Sequence, residues 1–174
     1  MVSGASAKKK SAKAASEGRE RMFHRPGHLV RRLHQICVSV FLDQAEDLNL
    51  TSLQFAALKG IEKSPGIEQI SLARSIAIDR QTASNVLGRL EKRGLIRKHD
   101  KDKRTKALFP TSKGKEIISV MAGRTEKIDE LILSPLNKVE RAQFLDTLLR
   151  LVEANNELSR APMGDQGKGK TAVG

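Results

Sequence analysis

The residues best equipped for chemistry lie between Asp79 and Arg93. Ala83, Val86, Leu87 and Leu90 fall at i, i+3, i+4 and i+7, which makes one apolar face of a helix. At about 100° per residue, Gln81, Asn85, Gly88 and Lys92 point the opposite way, flanked by Ser84 and Arg89. That outer face carries amides, hydroxyls and cations. These groups can hydrogen-bond base edges and phosphates in a major groove. Asp79 is a good N-cap for the helix, and Gly94 a good C′ residue beyond it.

A reading face is useful only if its neighbours hold it. A short helix over 67–75, carrying Ile67, Ile70 and Leu72-Ala73, precedes it, and Ile76-Ala-Ile78 supplies the turn. A short helix, a tight turn and a second amphipathic helix form the helix-turn-helix pattern. After it, Leu95-Ile-Arg-Lys-His99 and Thr105-Lys-Ala-Leu-Phe109 read as strands around Asp100-Lys-Asp-Lys-Arg104, a turn with five charges. A hairpin tipped by Lys101, Lys103 and Arg104 reaches a phosphate backbone or a narrow minor groove. The alternative is an ordinary exposed hairpin.

Four further helices frame this module. Pro26 or Gly27 opens the first, to about residue 47, with a stripe of Leu29, Leu33, Ile36, Cys37, Val40 and Phe41. Thr51-Ser-Leu-Gln54 is a capping box for a helix through about residue 61, broken by Ser64-Pro65-Gly66. Thr111 caps a helix over 112–133, roughly 33 Å long at 1.5 Å per residue. Its stripe is Ile117, Ile118, Met121, Ile128, Leu131 and Ile132. Ser134-Pro135 breaks it, and Asn137-Lys-Val-Glu140 caps a last helix to about residue 159. Phe144, Leu145, Leu148, Leu149, Leu151 and Val152 cover more than half its circumference, so it calls for burial on two sides. One small module offers too little surface for that. A symmetric dimer interface made by the first and last two helices is expected.

Charge agrees with the reading face. The 174-residue chain has a formal net charge of +12. Between Asp79 and Lys113 stand eleven Lys/Arg against four Asp/Glu, so +7 of the excess sits on one contiguous module. Such a balance favours polyanionic partners. Cys37 is the single cysteine, which excludes an intrachain disulfide and a cysteine-based zinc site. It reads as a small buried hydrophobe in its stripe. No apolar run approaches the ~20 residues of a membrane span. Lys8, Lys9 and Lys10 have no apolar segment behind them, so no signal peptide is read and a cytoplasmic setting is expected.

Two enzyme-like or metal-like signals are weak. Gly164-Asp-Gln-Gly-Lys-Gly-Lys-Thr171 fits the phosphate-loop pattern, which needs a strand before it and a helix after it. Three residues follow Thr171, so the match reads as chance and no enzyme is expected. His24, His28 and His34 are near one another but interrupted by Pro26, so no metal is assigned. No cofactor is implied.

Over residues 27–159 the chain resembles the MarR family of bacterial winged-helix regulators. The marks run in order. Leu50-Thr51 precedes a helix holding Phe55 and Leu58, and Leu72-Ala73 sits in the first helix of the motif. Asp79-Arg-Gln-Thr82 opens the recognition helix, and Leu90-Glu-Lys-Arg-Gly-Leu-Ile96 closes it. Asp102-Lys-Arg104 matches the family's Asp-x-Arg wing, and Thr111-Ser-Lys-Gly114 follows. The departures are Ala77 where the family often has Gly, Pro110 in place of an apolar residue, and the absence of Tyr and Trp. A left-handed Ala77 costs about 1 kcal/mol.

The resemblance implies a mainly α fold: a winged helix-turn-helix with a small β-hairpin wing and an all-α dimerisation platform. It implies platform helices at 25–50 and 115–159 and a DNA-binding domain at 51–114, while composition alone reads 1–24 as a basic disordered tail and the Gly- and Lys-rich 160–174 as a second disordered tail. It implies a homodimer on a pseudo-palindromic operator of double-stranded DNA, usually as a repressor, released by a small molecule. The DNA-binding residues carried over are Arg80, Gln81, Thr82, Ser84, Asn85, Arg89, Lys92, Lys101, Asp102, Lys103 and Arg104. Asp102 pairs with Arg104, which enters the minor groove. Effectors in the family include aromatic acids and acyl- or aroyl-CoA thioesters. Arg31, Arg32 and His34 are placed to meet an anionic ligand over a floor of Cys37, Phe41 and Phe55. Oxidation sensing through Cys37 is one rival. A constitutive nucleoid-type DNA-binding protein without effector is another.

Overall fold

The structure is a computed structural model describing residues 23–101 and 105–164. Helix α1 is Pro26–Gln44, and a 3₁₀ turn at Glu46–Leu48 leads to α2, Ser52–Lys63. Strand β1, Ile67–Glu68, runs directly into α3, Gln69–Ser75. Then come α4, Arg80–Lys92, and the strands β2, Ile96–Asp100, and β3, Lys106–Pro110. Helices α5, Ser112–Leu133, and α6, Lys138–Ala154, follow, with a last 3₁₀ turn at Asn156–Leu158. This mainly α architecture with a small antiparallel sheet is the expected winged helix-turn-helix.

The sheet order is β1-β3-β2, with Leu108 of β3 paired to Ile67 on one side and Lys98 on the other. Here the sequence reading needs a correction: Ile67 and Glu68 are strand, not the first turn of a helix. Gly66, at φ +88, turns its N–H to the Leu108 carbonyl at 2.8 Å, so the chain enters as a third strand. Only at Gln69 does the backbone coil. Helix α1 stops at Gln44, short of residue 47, because the Ala45 N–H bonds back to Leu42 and the chain tightens into the 3₁₀ turn. Helix α6 stops at Ala154, where Asn155 Nδ2 donates to the Leu151 carbonyl at 2.8 Å and the following turn replaces the last expected coil.

One apolar core lies under α4. Leu58 and Ile61 from α2, Leu72 from α3, Leu87 and Leu90 from α4, Leu108 from β3, and Ile118 and Met121 from α5 are almost wholly buried. Both capping boxes form as read: Thr51 with Gln54, and Asn137 with Glu140. The exit of α4 is also as expected. Gly94 takes φ +69, its N–H reaches the Glu91 carbonyl, and the Leu95 N–H reaches Leu90, which closes a Schellman motif. The start of α5 is fastened to that exit. The Thr111 N–H bonds the Leu95 carbonyl at 3.1 Å, and its hydroxyl donates to the Gly94 carbonyl at 2.7 Å.

The platform helices behave differently. Helix α6 has no buried residue, and Leu145, Leu149, Leu151 and Val152 are each more than half exposed. On α1 only Phe41 of the expected stripe is buried, while Leu29 and Ile36 stand open. The expected tails lie outside the described residues, except for 23–24 and 160–164. That last piece is ordered by bonds the sequence did not announce. Asn156 bonds the backbone of Met163 in both directions, and the Gly164 N–H reaches the Arg74 carbonyl at 3.2 Å. Beyond Gly164, the phosphate-loop-like stretch lies outside the described residues.

Two backbone positions yield predictions. A Cβ on Gly114 sits 2.1 Å from the Leu95 carbonyl oxygen, an atom that cannot swing aside. Gly114→Ala is expected to lower the unfolding free energy by about 2–3 kcal/mol in urea titrations, as overpacking does. Ala77 is left-handed, at φ 53. Ala77→Gly relieves about 1–2 kcal/mol of strain and adds about 0.4–1 kcal/mol of unfolded-chain entropy. A small net gain in the same titration is expected.

Candidate nucleic-acid interface

The interface is built from α4 outwards. Its N-cap, Asp79, accepts the Thr82 backbone N–H at 2.9 Å and the Thr82 hydroxyl at 2.6 Å. These donors, the hydroxyl first, hold the Asp79 carboxyl below the usual carboxylate range. Ala83, Val86, Leu87 and Leu90 are buried, as the periodicity requires. Arg80, Gln81, Ser84, Asn85, Gly88, Arg89 and Lys92 are all exposed. Gln81 Nε2 and Asn85 Oδ1 lie 3.5 Å apart, so the two amides share one turn of the outer face. Thr82 is the exception in this set. Its hydroxyl hydrogen is committed to Asp79, and it can offer a groove only an acceptor.

Among the described residues, Arg80, Arg89 and Lys92 carry no ion pair. Cations next to them on the hairpin do. Lys98 Nζ sits 2.6 Å from Glu91 of α4, and Lys101 Nζ sits 2.7 Å from Glu68 of β1. These pairs brace the hairpin against α4 on one side and against β1 on the other. Lys101 is therefore tied to Glu68. The hairpin neck closes with the Lys101 N–H on the Thr105 carbonyl at 2.9 Å. Asp102, Lys103 and Arg104, the expected wing tip, lie outside the described residues.

Two of the open grooves beside α4 bring other elements next to the reading face. One, of about 360 Å³, is lined by Glu68, Gln69, Arg80, Lys98, Thr105 and Lys106 among others. The other, of about 230 Å³, runs between the start of α2 and α4 and is lined by Thr51, Gln54, Thr82, Asn85 and Arg89 among others. The sequence reading missed the α2 turn and Lys98 and Lys106 as neighbours of the reading face. Their charges and caps were legible, but only the fold brings them beside α4.

The expected effector residues fall into two groups. Phe41 and Phe55 meet, with ring centroids 5.9 Å apart, and Cys37 lies half-buried one turn before Phe41 on α1. Arg31, Arg32 and His34 are exposed, with Arg32 Nη1 3.5 Å from Gln35 Oε1. The structure therefore brings Phe41 and Phe55 together and leaves Arg31, Arg32 and His34 exposed. Among the described residues no three His, Cys, Asp or Glu side chains converge to hold a metal. No described helix is long and apolar enough to cross a membrane.

Comparisons with known proteins agree on the fold. Residues 50–106 match the family described as MarR. An uncharacterized HTH-type transcriptional regulator of Bacillus subtilis, YybA, is 37% identical over 114 residues, covering 64% of this chain and 75% of that protein. The PcaV transcriptional regulator of Streptomyces coelicolor, solved with its natural ligand, superposes with a TM-score of 0.67 at 30% identity, over 75% of this chain and 94% of that one. Bordetella bronchiseptica BpsR superposes at 0.71 and 26% identity, over 75% and 96%. That structure is described as the mechanism by which 6-hydroxynicotinic acid regulates its DNA binding.

Two predictions follow from the geometry. The Asp79 carboxyl is lowered from 3.8, so its contribution is full above that value and is lost as pH falls through the folded value. Asp79→Ala should melt below wild type at pH 7, and the gap should close in melts carried into the strongly acid range. For recognition, Asn85→Ala should cut the preference for a selected duplex by about 1–3 kcal/mol in anisotropy titrations. Arg89→Ala, if Arg89 meets phosphate, should weaken binding to all duplexes alike.

Proposed function

Because this chain belongs to the MarR family of winged helix-turn-helix transcriptional regulators, we propose that it is a homodimeric repressor released from a pseudo-palindromic operator by a small effector. The observation that carries this reading is α4. One face is locked in the core, and the other presents amides and unpaired cations to solvent. The contact set is Arg80, Gln81, Thr82, Ser84, Asn85, Arg89 and Lys92, joined by the wing residues 101–104. Residues 51–114 read the DNA, and 25–50 with 115–159 form the platform.

The exposed apolar side chains of α6 and α1 support the dimer. Leu145, Leu149 and Val152, at i, i+4 and i+7 on one side of α6, are each open by more than half, and contiguous apolar patches of this kind mark an interface. Two copies related by a twofold axis present two α4 helices, which must match half-sites about 34 Å apart. The protein acts by binding, without catalysis, in the cytoplasm where its DNA partner lies.

The effector is an anionic aromatic acid or its CoA thioester. Support comes from Phe41 against Phe55 with Cys37 nearby, from Arg31, Arg32 and His34 on the same helix, and from 6-hydroxynicotinic acid on BpsR. A ligand favouring the wrong helix spacing by ~2–3 kcal/mol lowers DNA affinity tens- to over a hundred-fold. Calorimetry over a panel of hydroxylated aromatic acids and their CoA esters tests this. At least one should bind and release DNA; no binding across the panel contradicts the effector. DNA affinity that falls with salt equally for every sequence contradicts the operator, and describes a nucleoid-type binder instead.

A further inference from the structure

The corner between α1 and α2, residues 44–49, is gripped from two sides. From the platform, Arg124 of α5 donates Nη1 to the Gln44 carbonyl at 2.7 Å and holds the Asp47 carboxylate with Nη1 and Nη2 at 2.5 and 2.9 Å. From the reading helix, Arg93 at the end of α4 donates Nη1 to the Asn49 carbonyl and Nη2 to the Leu48 carbonyl, each at 2.7 Å. Two consecutive carbonyls reach one guanidinium because Asn49 is left-handed, at φ 46. In extended backbone they would point opposite ways.

Most of the other support for α4 is apolar burial, through Val86, Leu87 and Leu90. Burial selects which face of the helix turns inward, but being non-directional it sets the tilt of the helix axis only loosely. A planar fork on two carbonyls is directional, and it pins that tilt at the helix end. We propose that the 44–49 corner is the joint that sets the angle of the reading helix against the platform, with Arg93 as its positioning residue. Arg93 acts on DNA through this corner and not by touching DNA. The proposal rests on the operator-binding reading above and names the part of the fold that transmits between platform and reader. Phe41, one turn before Gln44, places the apolar floor of α1 directly upstream of the joint.

Specific binding needs two α4 helices seated in two grooves at once, whereas non-specific binding needs only charge near phosphate. Loss of the joint should therefore damage one and spare the other. The experiment uses the full chain as wild type, Arg93→Ala, Arg93→Lys, Arg124→Ala and the Arg93→Ala/Arg124→Ala double variant. The probes are a duplex enriched by wild type from a random-sequence pool and a scrambled duplex of the same composition, titrated by fluorescence anisotropy at several salt concentrations.

Both Arg93 variants should lose about tenfold or more on the enriched duplex and less than about twofold on the scrambled one, with the salt slope unchanged. Arg93→Lys keeps the charge but cannot span both carbonyls, so it must not rescue. Arg124→Ala should lose in the same direction, and the double variant should be no worse than the worse single one, because both arginines hold one corner. An equal loss on both duplexes with a slope reduced by about one makes Arg93 a phosphate contact and overturns the proposal. Unchanged affinity in folded variants overturns it too. If Arg93→Ala does not fold, Arg93→Lys carries the test. If wild type enriches no duplex, the operator reading fails. The joint then stands or falls on hydrogen exchange: residues 80–93 must exchange faster in Arg93→Lys, and unchanged exchange refutes it.

Discussion

Everything in this molecule depends on α4 presenting opposite faces to opposite environments. Ala83, Val86, Leu87 and Leu90 are removed from water chiefly by α2, α3 and β2. With that face fixed, the side chains two positions away, such as Gln81, Asn85 and Lys92, have nowhere to point but outward. The local devices at the two ends serve the same purpose. Asp79 closes the first turn, and the Schellman exit at Gly94 hands the chain to β2 without fraying. A reading helix fastened along one side and at both ends needs little ordering when it meets DNA, so less of its contact energy is spent on immobilisation.

The platform follows the opposite rule. Helix α5 buries Ile117, Ile118, Met121 and Ile128, while α6 buries nothing. Helix α6 is held near its ends instead. Arg141 Nε donates to the Leu136 carbonyl at 2.9 Å, and Gly164 returns to Arg74 of α3. A helix anchored at its ends with its apolar flank open is suited to receive helices from a second copy. The Gly164 bond also ties the end of the chain that follows α6 to the first helix of the helix-turn-helix.

Much of this was legible in the sequence. The four-residue apolar repeat, both capping boxes, Gly94 and the strand-turn-strand pattern after it are local signals, and local signals survive folding. The left-handed Ala77 was legible through the resemblance, because it stands where the family often has Gly. What escaped reading was long-range. Strand β1 exists because Leu108, some forty residues on, offers its carbonyl to Gly66. The forks of Arg93 and Arg124 span 44 to 80 residues, and their acceptors are mostly main-chain carbonyls, which side-chain spacing does not disclose. Residues 160–164 read as tail because the composition is poor in apolar groups, yet Asn156 bonds Met163 through its backbone, which composition does not register.

Hydroxyl-radical footprinting of the full chain on a duplex that it enriches from a random pool tests the central claim most directly. The account predicts two protected backbone patches related by a dyad, lying on one face of the duplex and separated by about one helical turn. A single patch without a dyad, or uniform protection along the duplex, would contradict it.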